Sequence, residues 1–224
     1  MKLSVKLCVK AKIISYTPEP ERVAALAYRQ CRSEEGVDKL SDRLDKPQIE
    51  KYVRKAIEDG HTSVLEHASF TFLVEGVSRV CTHQLVRHRI ASYSQQSHRY
   101  VKKVTYVTPP SWTEKPRLLQ ELVDLRSRGE SLFKRAVEDG VPVEDARAAL
   151  LEYRETKIVV TMNARELLVS FFPLRCCINA QWEIRGLAWL MLKEVRKVAP
   201  TIFERNPCDF CQDGKCIIKQ ARRR

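Results

Sequence analysis

Between Arg87 and Arg99 the chain reads Arg-His-Arg-Ile-Ala-Ser-Tyr-Ser-Gln-Gln-Ser-His-Arg, a run with three guanidiniums, two imidazoles and no acid. Arg87, Arg89 and Arg99 each offer a planar fork of donors that matches a phosphate bidentately. Ser92, Ser94, Ser97, Gln95 and Gln96 supply short neutral groups for the rest of a ligand. A nucleotide has that mixed character. The plain alternative is a solvated basic loop, but such loops lean on Lys and Glu, and this run follows an apolar, helix-like stretch that should hold it against the body.

A second anion-seeking place follows a strand candidate at 156–162, which runs directly into Asn163-Ala164-Arg165-Glu166. Asn163 can cap a helix, and Glu166 three residues later completes a capping-box pattern. The free N–H groups and positive dipole end of such a helix start suit a phosphate or a negatively polarised ring edge. Pro173 is expected to stop that helix and leave Leu174 and Arg175 in a turn.

These stretches need a scaffold. Residues 3–15 alternate as a strand with one wet face, and Pro18 and Pro20 open a helix carrying Val23, Leu26 and Ala27. A helix over 47–59 closes at Gly60, 68–74 reads as a buried strand, and 77–86 reads as the helix that delivers the chain into the Arg-His-Arg run. An extended piece ends at Pro109-Pro110. A long charged helix spans 114–138, and another starts at Val143. From Asn179 onward, Ile184, Leu187, Ala188, Met191, Val195 and Val198 repeat at helical spacing. The pattern predicts an α/β (mixed α+β) fold, helices on a central mixed sheet, with one domain over 1–204 and a basic, Cys-containing tail over 205–224.

At 224 residues and 44% hydrophobic composition the chain can bury a proper core, and its formal charge of +12 favours anionic partners. Lys6, Lys10 and Lys12 interrupt what would otherwise be the apolar part of a signal peptide, and no long apolar run follows, so a cytoplasmic protein off the membrane is expected. Cys208, Cys211 and Cys216 have the start of a zinc-knuckle spacing but lack a fourth ligand nearby, so no metal is expected. His61 and His67 are poorly spaced for a metal on a helix. There is no Gly-rich phosphate loop or dinucleotide fingerprint.

Taken together, Arg87-His-Arg-x-x-Ser92-x-x-x-x-Ser97-x-Arg99 resembles the signature of the flavin-dependent thymidylate synthases. The resemblance extends to His61-x-Ser63-x-x-Glu66-His67, Gln84-x-x-Arg87, Asp145-Ala-Arg147, Asn163-Ala164-Arg165, Leu174-Arg175 and Ala180-Gln-Trp-Glu-Ile184. It implies a homotetramer with active sites shared between chains, FAD as bound cofactor, NADPH as reductant, and methylation of dUMP to dTMP with methylenetetrahydrofolate as carbon donor. By the same resemblance Ser63, Arg87, His88, Arg89, Gln95, Asn163, Ala164 and Arg165 contact FAD. Gln84, Arg87, Gln95, Gln96, Ser97, His98, Arg99, Arg147 and Arg175 hold dUMP, with Arg175 as the catalytic residue. A guanidinium against the uracil edge would stabilise negative charge developing on the ring, which is electrostatic catalysis without an enzyme nucleophile.

The chain departs from the family pattern at Ser94, where Asn is common, Gln95, where Glu is frequent, and His98, where a small residue often sits. It is also one residue longer between Arg165 and Arg175, so neither Val169 nor Ser170 is assigned to the flavin. The competing class is a basic nucleic-acid-binding protein with a zinc-knuckle-like tail. That reading explains the charge and the Cys cluster but leaves Gln84, Asn163 and Arg175 as coincidence. The enzyme should be yellow, whereas a nucleic-acid binder should be colourless and lose affinity steeply with salt.

Overall fold

The computed structural model describes residues 9–42, 44–101 and 104–207. The Cys208, Cys211 and Cys216 cluster, Lys102 and Lys103, and the first eight residues lie outside them. A four-stranded sheet has the order β1-β2-β4-β3, built from β1 (Lys10–Tyr16), β2 (Ser69–Ser78), β3 (Ala91–Gln95) and β4 (Glu155–Asn163). Helices lie on a central sheet as expected, but its strand pairings are antiparallel throughout rather than mixed in direction.

Alternation along the two central strands decides which side is buried. Phe70, Phe72 and Val74 on β2 and Ile158, Val160 and Met162 on β4 point into the core, each at most 1% exposed. Nine helices occur among the described residues: α1 (Pro20–Gln30), α2 (Val37–Asp42), α3 (Lys46–Glu58), α4 (Arg79–Leu85), α5 (Pro110–Thr113), α6 (Pro116–Glu138), α7 (Val143–Ala146), α8 (Phe172–Arg175) and α9 (Trp182–Val198). Ala24 and Tyr28 of α1, Val53 and Ala56 of α3, and Ile184, Leu187, Met191 and Val195 of α9 join the sheet in one apolar cluster. Full burial of each large apolar side chain contributes about 1.5–3 kcal/mol. The other sheet face is less covered: Thr71 and Thr161 pair their hydroxyls across β2 and β4 at 3.0 Å, and neighbouring Leu73 is 41% exposed.

Several elements differ from the sequence reading for local reasons. β3 lies inside the Arg-His-Arg run, where short polar alternation gave no strand signal. β2 runs on to Ser78, so the helix expected from 77 begins at Arg79. The helix expected over 114–138 forms as the continuous α6, opened by Pro116, and the short α5 before it is unexpected. The His61–His67 segment forms a 3-10 turn over Thr62–His67. A smaller cluster of Phe133, Ala146 and Leu150 attaches α6 to α7 and the 3-10 turn Arg147–Ala149.

Pro173 does not end its helix. Residues Glu166–Phe171 wind as a π-turn and continue through Pro173 into α8, which ends at Arg175. In the wider turn each N–H reaches back five residues, and that slack accommodates a residue with no N–H to give. The stretch that is one residue longer than the family pattern is therefore wound in the conformation that absorbs one extra residue.

Candidate active site

The site is assembled around α4. Ser78 caps it by accepting the N–H of Cys81 at 3.1 Å. Ser78 in turn donates its own N–H and hydroxyl to the two oxygens of Glu183, both at 2.6 Å. Glu183 is fully buried in the first turn of α9; burial pushes its carboxyl up, and the Ser78 bonds counter that. At the far end of α4, the Tyr93 hydroxyl lies 2.8 Å from the Leu85 carbonyl and 2.7 Å from that of His88. β3 thereby fixes the turn that carries Arg87, His88 and Arg89.

Within this frame Arg175 and His88 meet. Arg175 Nε donates to His88 Nε2 at 3.0 Å, and Nη2 donates to the Gln84 carbonyl at 3.0 Å, with the Gln84 side-chain oxygen 3.4 Å from Nη1. A guanidinium has only donors, so Nε2 must carry the lone pair and the ring proton must sit on Nδ1. Nδ1 donates to Glu166 Oε1 at 2.8 Å, and the Ser170 hydroxyl lies 3.3 Å away. Phe171 packs edge-on against the imidazole with 5.0 Å between centroids. Burial lowers the His88 pKa and Arg175 lowers it further, against the raising effect of Glu166, which keeps the ring neutral. Arg175 has no carboxylate partner among the described residues, so its charge is held by neutral acceptors.

Asn163 accepts the Glu166 N–H at 2.8 Å, as the capping pattern expects, but the Glu166 side chain turns to His88 instead of back to Asn163. Of the two residues left open, Ser170 faces His88 and Val169 is exposed.

A cavity of about 430 Å³ opens beside α4, lined by Arg79, Thr82, His83, Gln84, Gln95, Glu152 and Arg154 among others. Gln95 Nε2 donates to the hydroxyls of Thr82 at 2.9 Å and Thr156 at 3.3 Å, which leaves its oxygen as the free acceptor. Gln96 donates its backbone N–H to Lys157, and Ser97 accepts the Arg99 N–H at 3.2 Å. Arg99 is engaged by Glu144 at 2.8 Å, and Arg147 Nε donates to the Glu144 carbonyl at 3.3 Å. His98 is buried at 6% exposure, and neither of its ring nitrogens has a partner among the described residues.

The residues expected at FAD differ in exposure, with Gln95 and Asn163 half-buried between an exposed and a buried group. Ser63, Arg87, Arg89 and Arg165 are exposed, and Arg165 is tied to Glu66 and to the Thr62 hydroxyl, joining the 3-10 turn to the start of the helix. His88 and Ala164 form the buried group. The His88 side chain is buried at 4% exposure with both nitrogens used by the protein, and Ala164 is fully buried with its N–H given to Ala68. Each sits where the chain turns inward to pack against the sheet. The pairing of Ser78 with Glu183 carried no sequence signal, because the two lie 105 positions apart, and nothing in the sequence singled out the Tyr93 hydroxyl as the clamp of the 85–88 turn. Glu166 was legible only as a cap.

The family model described as thymidylate synthase complementing protein matches residues 12–201. A flavin-dependent thymidylate synthase of Geobacter sulfurreducens is 48% identical over 212 residues, covering 93% of this chain and 90% of the relative. One from Sulfurisphaera tokodaii is 47% identical over 199 residues, covering 87% and 76%. One from Clostridium tetani is 42% identical over 226 residues, covering 93% and 90%. Similarity of that depth over most of this chain and at least three quarters of each relative, joined to the arginine and glutamine constellation around α4, places the chain in the flavin-dependent thymidylate synthase family.

Proposed function

We propose that dUMP lies in the cavity beside α4 with its base toward Arg175, and that Arg175 is the catalytic residue of the reaction. As a flavin-dependent thymidylate synthase, the protein converts dUMP to dTMP with methylenetetrahydrofolate as carbon donor and with FAD and NADPH providing the reduction. The nucleic-acid reading has no support beside that membership.

The observation that carries the site assignment is Arg175 itself. Its guanidinium is half-buried, oriented by His88 and Gln84, and free of any carboxylate among the described residues, so its charge can act on a substrate. Gln84 receives Arg175 on one side and lines the cavity on the other. Gln84 and Gln95 line that cavity, and in this reading Arg87, Gln96, Ser97, His98, Arg99 and Arg147 supply the remaining donors and acceptors for the nucleotide. His88 serves as a positioning residue for Arg175.

FAD suits the adjacent surface. Arg87 and Arg89 are exposed, have no ion-pair partner among the described residues, and flank Ile90, which is 61% exposed. Unpaired guanidiniums suit a diphosphate, and bare apolar surface suits a flat ring. In this reading Ser63, on the 3-10 turn, and Asn163 and Arg165, at the helix start to which Arg165 ties that turn, complete the FAD site. Bound and reduced, FAD supplies the hydride; the chain orients it and excludes water.

The assembly we infer is a homotetramer in the cytoplasm. Leu118, Leu125 and Leu132 recur every seventh residue along α6 and are 49%, 52% and 50% exposed, an apolar seam suited to another copy. Among the described residues no helix is long and apolar enough to cross a membrane. Residues 1–204 are taken as the catalytic domain, since the core cluster runs from Val9 to Phe203, and 205–224 as a basic tail.

The test is dTMP formation from dUMP, methylenetetrahydrofolate and NADPH, with and without added FAD. Turnover that depends on FAD is expected. The Arg175→Ala variant should keep its yellow colour and turn over on the order of 100-fold more slowly, the usual loss for one preorganised electrostatic contact. Normal turnover in that variant would remove Arg175 from the mechanism.

A further inference from the structure

Beyond the residues assigned above, the cavity has a cationic end that the chain leaves unsatisfied. Arg154 lies at the start of β4, bridged to Tyr106, and its carbonyl accepts the N–H of Arg79, which begins α4. Both arginines line the cavity. Arg154 Nε and Nη1 are buried and have no hydrogen-bond partner among the described residues, and the same is true of both ring nitrogens of His98. Arg79, Arg147 and Arg154 all act on that imidazole, and burial together with these three charges holds His98 below its ordinary pKa. The ring is therefore neutral, with one N–H to donate. Among the described residues the only acid in the cavity lining is Glu152, which is exposed. Arg99, by contrast, already spends a guanidinium donor on Glu144.

Buried guanidinium and imidazole donors without acceptors are costly unless a ligand completes them. Several cations around one orphan imidazole match a dianion, and a phosphate monoester is a dianion that a guanidinium fork can hold with two bonds. Gln84 binds Arg175 and lines the same cavity as Gln95, Arg79 and Arg154, so a nucleotide with its base at Arg175 has these two arginines within the same cavity for its phosphate.

We propose that Arg154 is a phosphate ligand of this enzyme, its Nε and Nη1 donors and an N–H of His98 receiving the 5′-phosphate of dUMP. This rests on the reading that dUMP occupies the cavity beside α4. It makes Arg154 a specificity residue that separates the nucleotide from the nucleoside. NADPH also carries a phosphate monoester, so the experiment must tell the two sources apart.

Full-length, FAD-loaded protein and its Arg154→Gln variant are titrated with dUMP and with deoxyuridine, and their use of NADPH is compared with that of NADH. Losing a charged double contact should weaken dUMP binding about 10- to 100-fold. Deoxyuridine affinity and the NADPH-to-NADH preference should stay within about twofold, because neither depends on this contact. The proposal is overturned if dUMP binding is unchanged, if deoxyuridine weakens in step with dUMP, or if only the preference for NADPH falls. A parent protein that binds deoxyuridine and dUMP equally would also overturn it, while one that binds neither would instead defeat the nucleotide-site reading beneath it. Should Arg154→Gln lose its flavin or its fold, Arg154→Lys decides: a point charge without the fork should still bind dUMP more weakly than the parent while deoxyuridine is unmoved.

Discussion

At the scale of single residues, His88 can serve Arg175 only while its Nε2 is unprotonated, so the two side chains share one pH limit. Protonation would set a cation against a guanidinium 3.0 Å away and break the contact that orients it. Burial lowers the His88 pKa first, Arg175 lowers it further, and the Glu166 bond raises it. In Glu166→Gln the amide oxygen can still accept from Nδ1, but the carboxylate charge that raises the pKa is gone. The acid limb of the kcat profile should therefore move to lower pH, with turnover at pH 8 little changed; a limb that stays in place would mean another group controls it. The same direction applies to stability. His88 and His98 both have folded values below the ordinary 6.5, so between those values the unfolded chain binds more protons. Stability from these groups is fully present above about 6.5 and is lost as pH falls toward the folded values. Residue types told much of this in advance: Gln84, Arg87, Arg175 and the run to Arg99 announce themselves by donor chemistry at fixed spacing. Orientation did not, because the tautomer of His88 depends on Glu166, 78 positions away in the chain.

At the scale of elements, periodicity located α1, α3, α6 and α9 and the buried strands β2 and β4, since each shows the spacing of the face it buries. It failed where a local rule was overridden by neighbours. β3 is short and polar and is an edge strand held only by β4, and the π-turn lets a helix pass Pro173. α6 carries a constraint of its own. A Cβ built on Gly129 would stand 2.5 Å from the carbonyl oxygen of Ala149, in the 3-10 turn that also bears Arg147. On an open helix Gly→Ala stabilises by about 1 kcal/mol. Here the clash is with backbone, so Gly129→Ala should instead destabilise by about 1–3 kcal/mol, read as a lower midpoint in urea. A rise in that midpoint would show that the two elements can part without cost. Because Arg147 and Arg99 both bind Glu144 on α7, the same change should weaken dUMP binding as well.

At the scale of the whole molecule, the charge of +12 foretold anionic ligands and the hydrophobic content foretold a single core, whereas shape and assembly were not legible. The surface leucines look in sequence like ordinary helix residues; only the fold shows that Leu118, Leu125 and Leu132 face away from the body. Leu125→Glu should lower the molecular mass measured by light scattering from that of a tetramer, and loss of FAD should accompany it if neighbouring copies complete each site. A variant that keeps the full mass would clear α6 of any part in assembly. The half-bare sheet face around Leu73 has a plainer consequence. If the proposed tetramer covers that surface with another copy, mass action governs the coverage and the melting temperature should climb as the solution is made more concentrated. For such an assembly, dilution acts as a denaturant.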